Sequence, residues 1–210
     1  GFTRHIESNQ SRLICPRDQK EDSMILSDFH MHSEFSSDSE TPMLAMIEQS
    51  IQLGLKTICF TDHMDFDFPK ISPDSKNAGE FLSFIFDPHT YVERIQQLRN
   101  KFSSQIDIRI GVELGLQPHI QNEVAKLMKN YDFDFVIGSS HLLYRSDPYS
   151  PDFWKKLRED SCSLVPEEQL DEYIVKKVMT DYFLGIADYV KEFPQFQVFG
   201  HLDYVSRYAP

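Results

Sequence analysis

The sequence is poor in several things, and each shortage removes a class of protein. Cysteine occurs three times, at Cys15, Cys59 and Cys162. They form neither a CxxC pair nor a disulfide framework, which suits a reducing, cytoplasmic setting. Cys59 lies in an apolar run and reads as a small buried hydrophobe. No apolar run approaches the roughly 18 residues needed to span a bilayer, so no membrane partner is expected. The first residues, GFTRHIESNQSRLICPRDQKEDS, lack the apolar stretch of a signal peptide. Gly1–Ser23 are therefore expected to form a polar tail, with Met24 as native start and residues 24–210 as one domain. Basic residues are outnumbered, 21 against 33 acidic, for a net charge of −12. A surface this negative repels phosphate backbones and argues against nucleic acid as a standing partner. A small anionic substrate is not excluded, because a bound cation reverses the local field. The glycine spacing of a phosphate-cradling loop is also missing: GLKTICF does not supply it.

What is present describes a folded domain. A chain of 210 residues, 40% hydrophobic and 13% aromatic, can bury a sizeable core. From Met24 the pattern alternates strand and helix. Ile25–Phe29 is a first strand. Thr41-Pro42 is an N-cap with Pro at the first helical position, ahead of a face of Met43, Leu44, Ile47 and Ile51 that Gly54 ends. Leu55–Phe60 is a second strand. Asp87-Pro88 starts a helix carrying Tyr91, Ile95, Leu98 and Phe102. Ile106–Val112 alternates as a third strand. Ile120, Val124, Leu127 and Met128 mark the next helix, and Phe133–Gly138 a fourth strand. Leu142–Val165, rich in Asp, Pro and Ser, reads as a loop. Pro166 to about Glu192 carries a long helix with Leu170, Ile174, Val178 and Tyr182 on one face. Phe196–Gly200 is a fifth strand. Such alternation predicts an α/β fold with a parallel sheet.

Polar residues cluster where this plan puts strand ends. SDFHMHSEFSSDSE places His30 and His32 after the first strand. TDH, GVELG, SSH and GHLD place His63, Glu113, His141 and His201 after the others. Parallel sheets build their sites at that end. Singly, a histidine after a strand is an ordinary capping or core residue, Glu113 a helix-dipole partner, and Glu34, Asp38 and Glu40 a solvated loop. Together, five of eight histidines at strand ends point to metal. Imidazole and carboxylate donors suit zinc, iron or manganese. With Asp38 there are seven such groups, more than one tetrahedral ion takes, so two or three divalent metal ions sharing a carboxylate are expected. Ser139 and Ser140 beside His141 are not expected to form a nucleophile–base pair, since neighbours on a strand point to opposite sides.

DFHMHSEFSSD, FTDHMDFDFP, GVELGLQP, GSSHLL and GHLDYVSRY, in this order, resemble the polymerase-and-histidinol-phosphatase (PHP) family, and within it the histidinol-phosphatase branch. The resemblance implies a distorted (β/α)7 barrel with a trinuclear metal centre. His30 and His32 would serve a first metal, Asp38 and His63 a second, His141 and His201 a third, with Glu113 bridging. The family pattern closes with an Asp-x-His motif that is not found after Asp203, so a barrel truncated at its C-terminus is expected. The activity implied is hydrolysis of L-histidinol phosphate, a small phosphate monoester, to L-histidinol and phosphate by a metal-held hydroxide. His63, Asp62 and Glu113 are the candidate catalytic residues. Asp62 and Asp203 would orient neighbouring imidazoles or simply form turns. Asp65 and Asp67 are candidate pocket residues, and Phe66, Phe68 and Tyr144 candidate packing partners of an imidazole. Arg207 would grip the phosphate or lie at the surface. The alternatives are a PHP phosphoesterase acting on nucleotides or nucleic acid ends, and a non-catalytic metal-binding relative.

Overall fold

One strand organises the molecule. In the computed structural model, which describes residues 25–69 and 84–210, the longest strand is Asp107–Gly115. The expected tail, Gly1–Ser23, lies outside the described residues. In chain order the strands are β1 (Ser27–Met31), β2 (Thr57–Phe60), β3 (His63–Met64), β4 (Asp107–Gly115), β5 (Phe135–Ser139) and β6 (Val198–Phe199). The helices are α1 (Met43–Gln52), α2 (Pro88–Phe102), α3 (Gln121–Asn130), α4 (Pro151–Ser161) and α5 (Leu170–Glu192). The sheet runs β1-β2-β4-β5-β6, all pairs parallel, with β3 also on β4. β2 lies against Asp107–Ile110 and β3 against Glu113–Leu114. The two are thus one interrupted strand, bent at Thr61-Asp62, and the bend brings His63 into register with Glu113.

The sheet is strongly curled. Phe29 of β1 meets Phe135 of β5 with ring centroids 5.1 Å apart. Three strand spacings separate β1 from β5, roughly 14 Å in a flat sheet, so only a curled, half-barrel sheet allows this contact. This α/β half-barrel matches the expected architecture. β4 alternates exposed and buried only at its start; from Ile110 onward every residue is buried. Its second half has neighbours on both faces, as a barrel strand does.

Three local expectations change. Thr41 does not cap α1. Pro42 takes the cap position without a side-chain bond, and Glu34 instead accepts from the Met43 N–H at 2.6 Å. Leu142–Val165 is not all loop. Ser150 caps α4 with Pro151 at its first position, and Phe153 and Trp154 bury one side. The cap-and-Pro signal is the one that marks α2, where Asp87 accepts from His89 and Thr90 N–H groups. β6 has two residues, against five expected. Gly54 does end α1, at φ 81°, a conformation open to glycine at little cost.

Two apolar clusters hold these pieces. The larger sits between the sheet and α1–α3 around Ile58, Phe60, Ile108, Val112, Tyr91 and Ile95. The smaller joins α4 to α5 through Trp154, Leu170, Ile174 and Tyr182, and reaches Val205. It anchors the segment after β6 and so helps place His201. Among the described residues no helix is long and apolar enough to cross a membrane.

Candidate metal centre

Glu113 is the hub. It is fully buried, near the C-terminal end of β4. Its Oε2 faces His30 Nε2 at 2.9 Å, His32 Nε2 at 3.2 Å and His63 Nδ1 at 3.7 Å. Its Oε1 faces His201 Nε2 at 2.7 Å and His141 Nε2 at 3.1 Å, and accepts from Ser139 Oγ at 2.6 Å. One carboxylate therefore gathers five imidazoles from β1, β3 and the segments following β1, β5 and β6. Two further acids flank the ring of histidines. Asp65, buried, reaches His141 Nδ1 at 2.7 Å, and its Oδ2 faces His63 Nδ1 at 3.2 Å without hydrogen-bond alignment. Asp38, exposed, lies 3.3 Å from His63 Nε2.

This donor set fits divalent cations. Three overlapping groups each bring ligand atoms within 4.8 Å of one another: His30, Glu113 and His201; His32, His63 and Glu113; and His63, Asp65 and His141. His141 and His201 point Nε2 at each other, 3.3 Å apart, across Glu113 Oε1. Buried His63 Nδ1, Asp65 Oδ2 and His201 Nδ1 have no hydrogen-bond partner among the described residues. Polar atoms left this way inside a protein mark a site completed by something else.

The charges answer one another. Burial opposes the Glu113 carboxylate, but hydrogen bonds from His141, His201, His30 and His32 outweigh it and hold the carboxyl well below its usual range. Burial likewise disfavours an imidazolium at His63, yet Asp38, Asp65 and Glu113 push its pKa up to about 10. At His141 burial loses to Asp65 and Glu113, and the value rises to about 9. These nitrogens hold positive charge strongly, and protons and metal ions compete for them.

The pattern of the PHP domain matches residues 28–209. The chain belongs to the PHP family. It is 32% identical over 185 residues to a histidinol-phosphatase of Lactococcus lactis subsp. lactis (strain IL1403), covering 87% of this chain and 58% of that protein. A probable histidinol-phosphatase of Clostridium acetobutylicum is 30% identical over 185 residues, covering 87% and 59%. Among solved structures, the Lactococcus lactis histidinol phosphate phosphatase in complex with zinc, L-histidinol and phosphate superposes with a TM-score of 0.66 at 32% identity. That match covers 88% of this chain and 60% of the other. The chain thus spans about three-fifths of the length of these relatives.

Within the PHP fold, His30, His32, His63, Glu113, His141 and His201 converge, and Asp38 stands beside His63. The clusters overlap: His30 and His32 both face Glu113 Oε2 and His141 and His201 both face Oε1, while His30 also shares a cluster with His201 and the ring of His32 lies 4.5 Å from that of His63. Asp65 belongs to the ligand cluster itself, not only to the pocket wall. Its signal was legible: His63-x-Asp65 has the same two-residue spacing as His30-x-His32, which puts both side chains on one side of an extended chain. Ser139 and His141 share that spacing and both meet Glu113 Oε1. Ser139 is therefore not turned away from His141, but its hydroxyl is spent on Glu113.

The other candidates have other partners. Asp62 makes no hydrogen bond to an imidazole among the described residues. It accepts from Ser33 N–H at 2.5 Å and Ser33 Oγ at 2.9 Å, pinning the turn after β1. Ser36, on the same turn, accepts from the His63 N–H at 2.8 Å. Asp67 pairs with His119 at 2.6 Å. Tyr144 bonds Asp181 and Lys177 rather than an imidazole, and Phe66 packs in the core. The aromatic neighbours of the histidines are Phe84, 5.3 Å from His63, and Tyr204, 5.2 Å from His141. Asp203 and Arg207 line the cavity above the cluster, with Arg207 Cζ 4.3 Å from the Tyr149 ring.

Proposed function

We propose that this chain carries the active site of a metal-dependent histidinol-phosphatase that hydrolyses L-histidinol phosphate to L-histidinol and phosphate. The observation that carries the reading is the hub: one buried carboxylate whose two oxygens address separate sets of imidazoles, inside a PHP fold. The relatives' names and the zinc, L-histidinol and phosphate of the Lactococcus lactis structure support it. Two or three zinc, iron or manganese ions would be held by His30, His32, Asp38, His63, Asp65, Glu113, His141 and His201. When bound, such ions lower the pKa of water toward neutrality and draw charge from a phosphate ester.

The chain's own residues do the remaining work. Glu113 joins the clusters at fixed spacing because β4 is paired on both sides. Asp62 holds the turn that presents His32, through Ser33, and acts as a positioning residue. Asp65 fixes the His141 ring through Nδ1, which leaves Nε2 to point at Glu113. Arg207, on the cavity wall, offers paired N–H donors to a phosphate. Free Cys59 and Cys162 suit a cytoplasmic enzyme.

Phosphate release from L-histidinol phosphate, measured after loading with zinc, manganese or iron and beside a panel of nucleotides and single-stranded DNA, tests the proposal. Turnover of L-histidinol phosphate far above the panel is expected. A metal-loaded protein that released phosphate from nucleotides instead would overturn it.

A further inference from the structure

The cavity over the metal-binding cluster has a volume of about 630 Å³ and two kinds of wall. Histidines and carboxylates make its floor. The far wall comes from the segments after β5 and β6, including Asp147, Tyr149, Tyr204 and Arg207. Tyr204 connects the two: its ring lies 5.2 Å from His141 and 5.3 Å from His201, and its hydroxyl donates to Asp147 Oδ1 at 3.0 Å. The Tyr149 N–H donates to the same oxygen at 2.8 Å, and the Tyr149 ring stacks on Tyr204 at 4.9 Å. Asp147 is thereby fixed one tyrosine ring away from the histidines. Two donors occupy its Oδ1, and among the described residues none reaches Oδ2. A half-buried carboxylate with one satisfied oxygen and one open oxygen on a cavity wall is a built receptor for a cation.

Resting on the function proposed above, we infer that Asp147 is a specificity-determining residue that receives a protonated amine of the substrate. The site then selects phosphate monoesters of amino alcohols. Phosphate is drawn to the cation-binding floor, and the amine to Asp147 on the wall above it, so the two charges of the ligand fix its direction. Asp203, also on the wall, is exposed; solvent screens its charge and makes it the weaker receptor.

The test compares L-histidinol phosphate with the same ester carrying hydrogen in place of the amine, on metal-loaded protein. The wild type should prefer the amine-bearing ester. Asp147→Asn keeps an acceptor for Tyr204 and Tyr149 but loses the charge. It should lower the preference ratio in kcat/KM by about 10–100-fold through KM, the size of one charge-assisted hydrogen bond. Asp147→Glu should restore part of it. Equal use of both esters by the wild type, or a variant that loses both in step, would overturn the assignment. Should Asp147→Asn fail to fold, inhibition of the wild type decides: L-histidinol must bind more tightly than its deamino analogue, and equal binding refutes the role. Phosphate released from neither ester would sink the function and this assignment together, an outcome distinct from equal use of the two.

Discussion

A single methyl group at Gly115 should disable the centre from outside the ligand set. Gly115 ends β4 and pairs with Ser139 of β5, so its backbone has little room to move. A Cβ there would stand 1.7 Å from Asp65 Oδ1, 2.4 Å from its Cγ and 3.2 Å from its Cβ. The carboxylate would have to retreat by more than a bond length. That breaks its 2.7 Å contact with His141 Nδ1 and shifts it from His63. One charge-assisted hydrogen bond is worth about 1.5–3 kcal/mol. Loss of a group that orients a metal-binding histidine costs about 10–100-fold in metal affinity. A displacement of about 1 Å near reacting groups costs about 100-fold in rate. Gly115→Ala should therefore bind metal about 10–100-fold more weakly, by competition with a chromophoric chelator, and release phosphate about 100-fold more slowly. Gly111→Ala is the control. Its Cβ would meet Cys59 Sγ at 2.6 Å and the Phe60 carbonyl at 2.8 Å, in the core rather than the site. It should lower the melting temperature while metal affinity stays near wild type in whatever fraction folds. Wild-type metal affinity in Gly115→Ala, or an equal loss in both variants, would refute the claim that Asp65 is held by space reserved at Gly115.

Three further outcomes are expected. With chelator present, stability should fall as pH rises: the raised values of His63, about 10, and His141, about 9, against an ordinary 6.5, give stabilisation fully present below pH 6.5 and lost through 9–10. Urea melts across that window check it, and a flat profile refutes it; with metal bound, affinity should instead rise with pH, since metal displaces protons. Glu113→Gln keeps the shape but removes the hub's charge, leaving buried histidines without their counter-ion, at about 3–5 kcal/mol; elemental analysis should show at least one ion fewer per chain, and an unchanged count contradicts the hub. Ser33→Ala removes the Asp62 contact at 2.9 Å while keeping the backbone one at 2.5 Å; it should cost about 1–3 kcal/mol in thermal melts and reduce turnover more than metal content, and an unaltered turnover removes Asp62 as a positioning residue.

The order of strands and helices was readable because each carries its own local chemistry. Asp87-Pro88, Gly54 and the apolar runs at Leu55–Phe60 and Phe133–Gly138 act over a few residues. α4 was legible in principle from Ser150-Pro151, but only Phe153, Trp154 and Leu157 mark its apolar side, and the surrounding Asp, Pro and Ser outweighed them. β3 was not legible. Two residues have no period of their own, and His63-Met64 is a strand only because β4 runs past it.

For the site, sequence by itself determined which side chains could take part. The parallel order sends strand C-termini to one end, and a period of two puts His30 with His32 and His63 with Asp65 on common sides. The curl of the sheet decided the rest. It brings His30 at one edge to His201 beyond the other, with ring centroids 5.8 Å apart. It sets Glu113 between them and seats Asp147 against Tyr204, 57 positions away. Contacts at that separation arise from how strands twist and close on one another, which no local run of residues encodes.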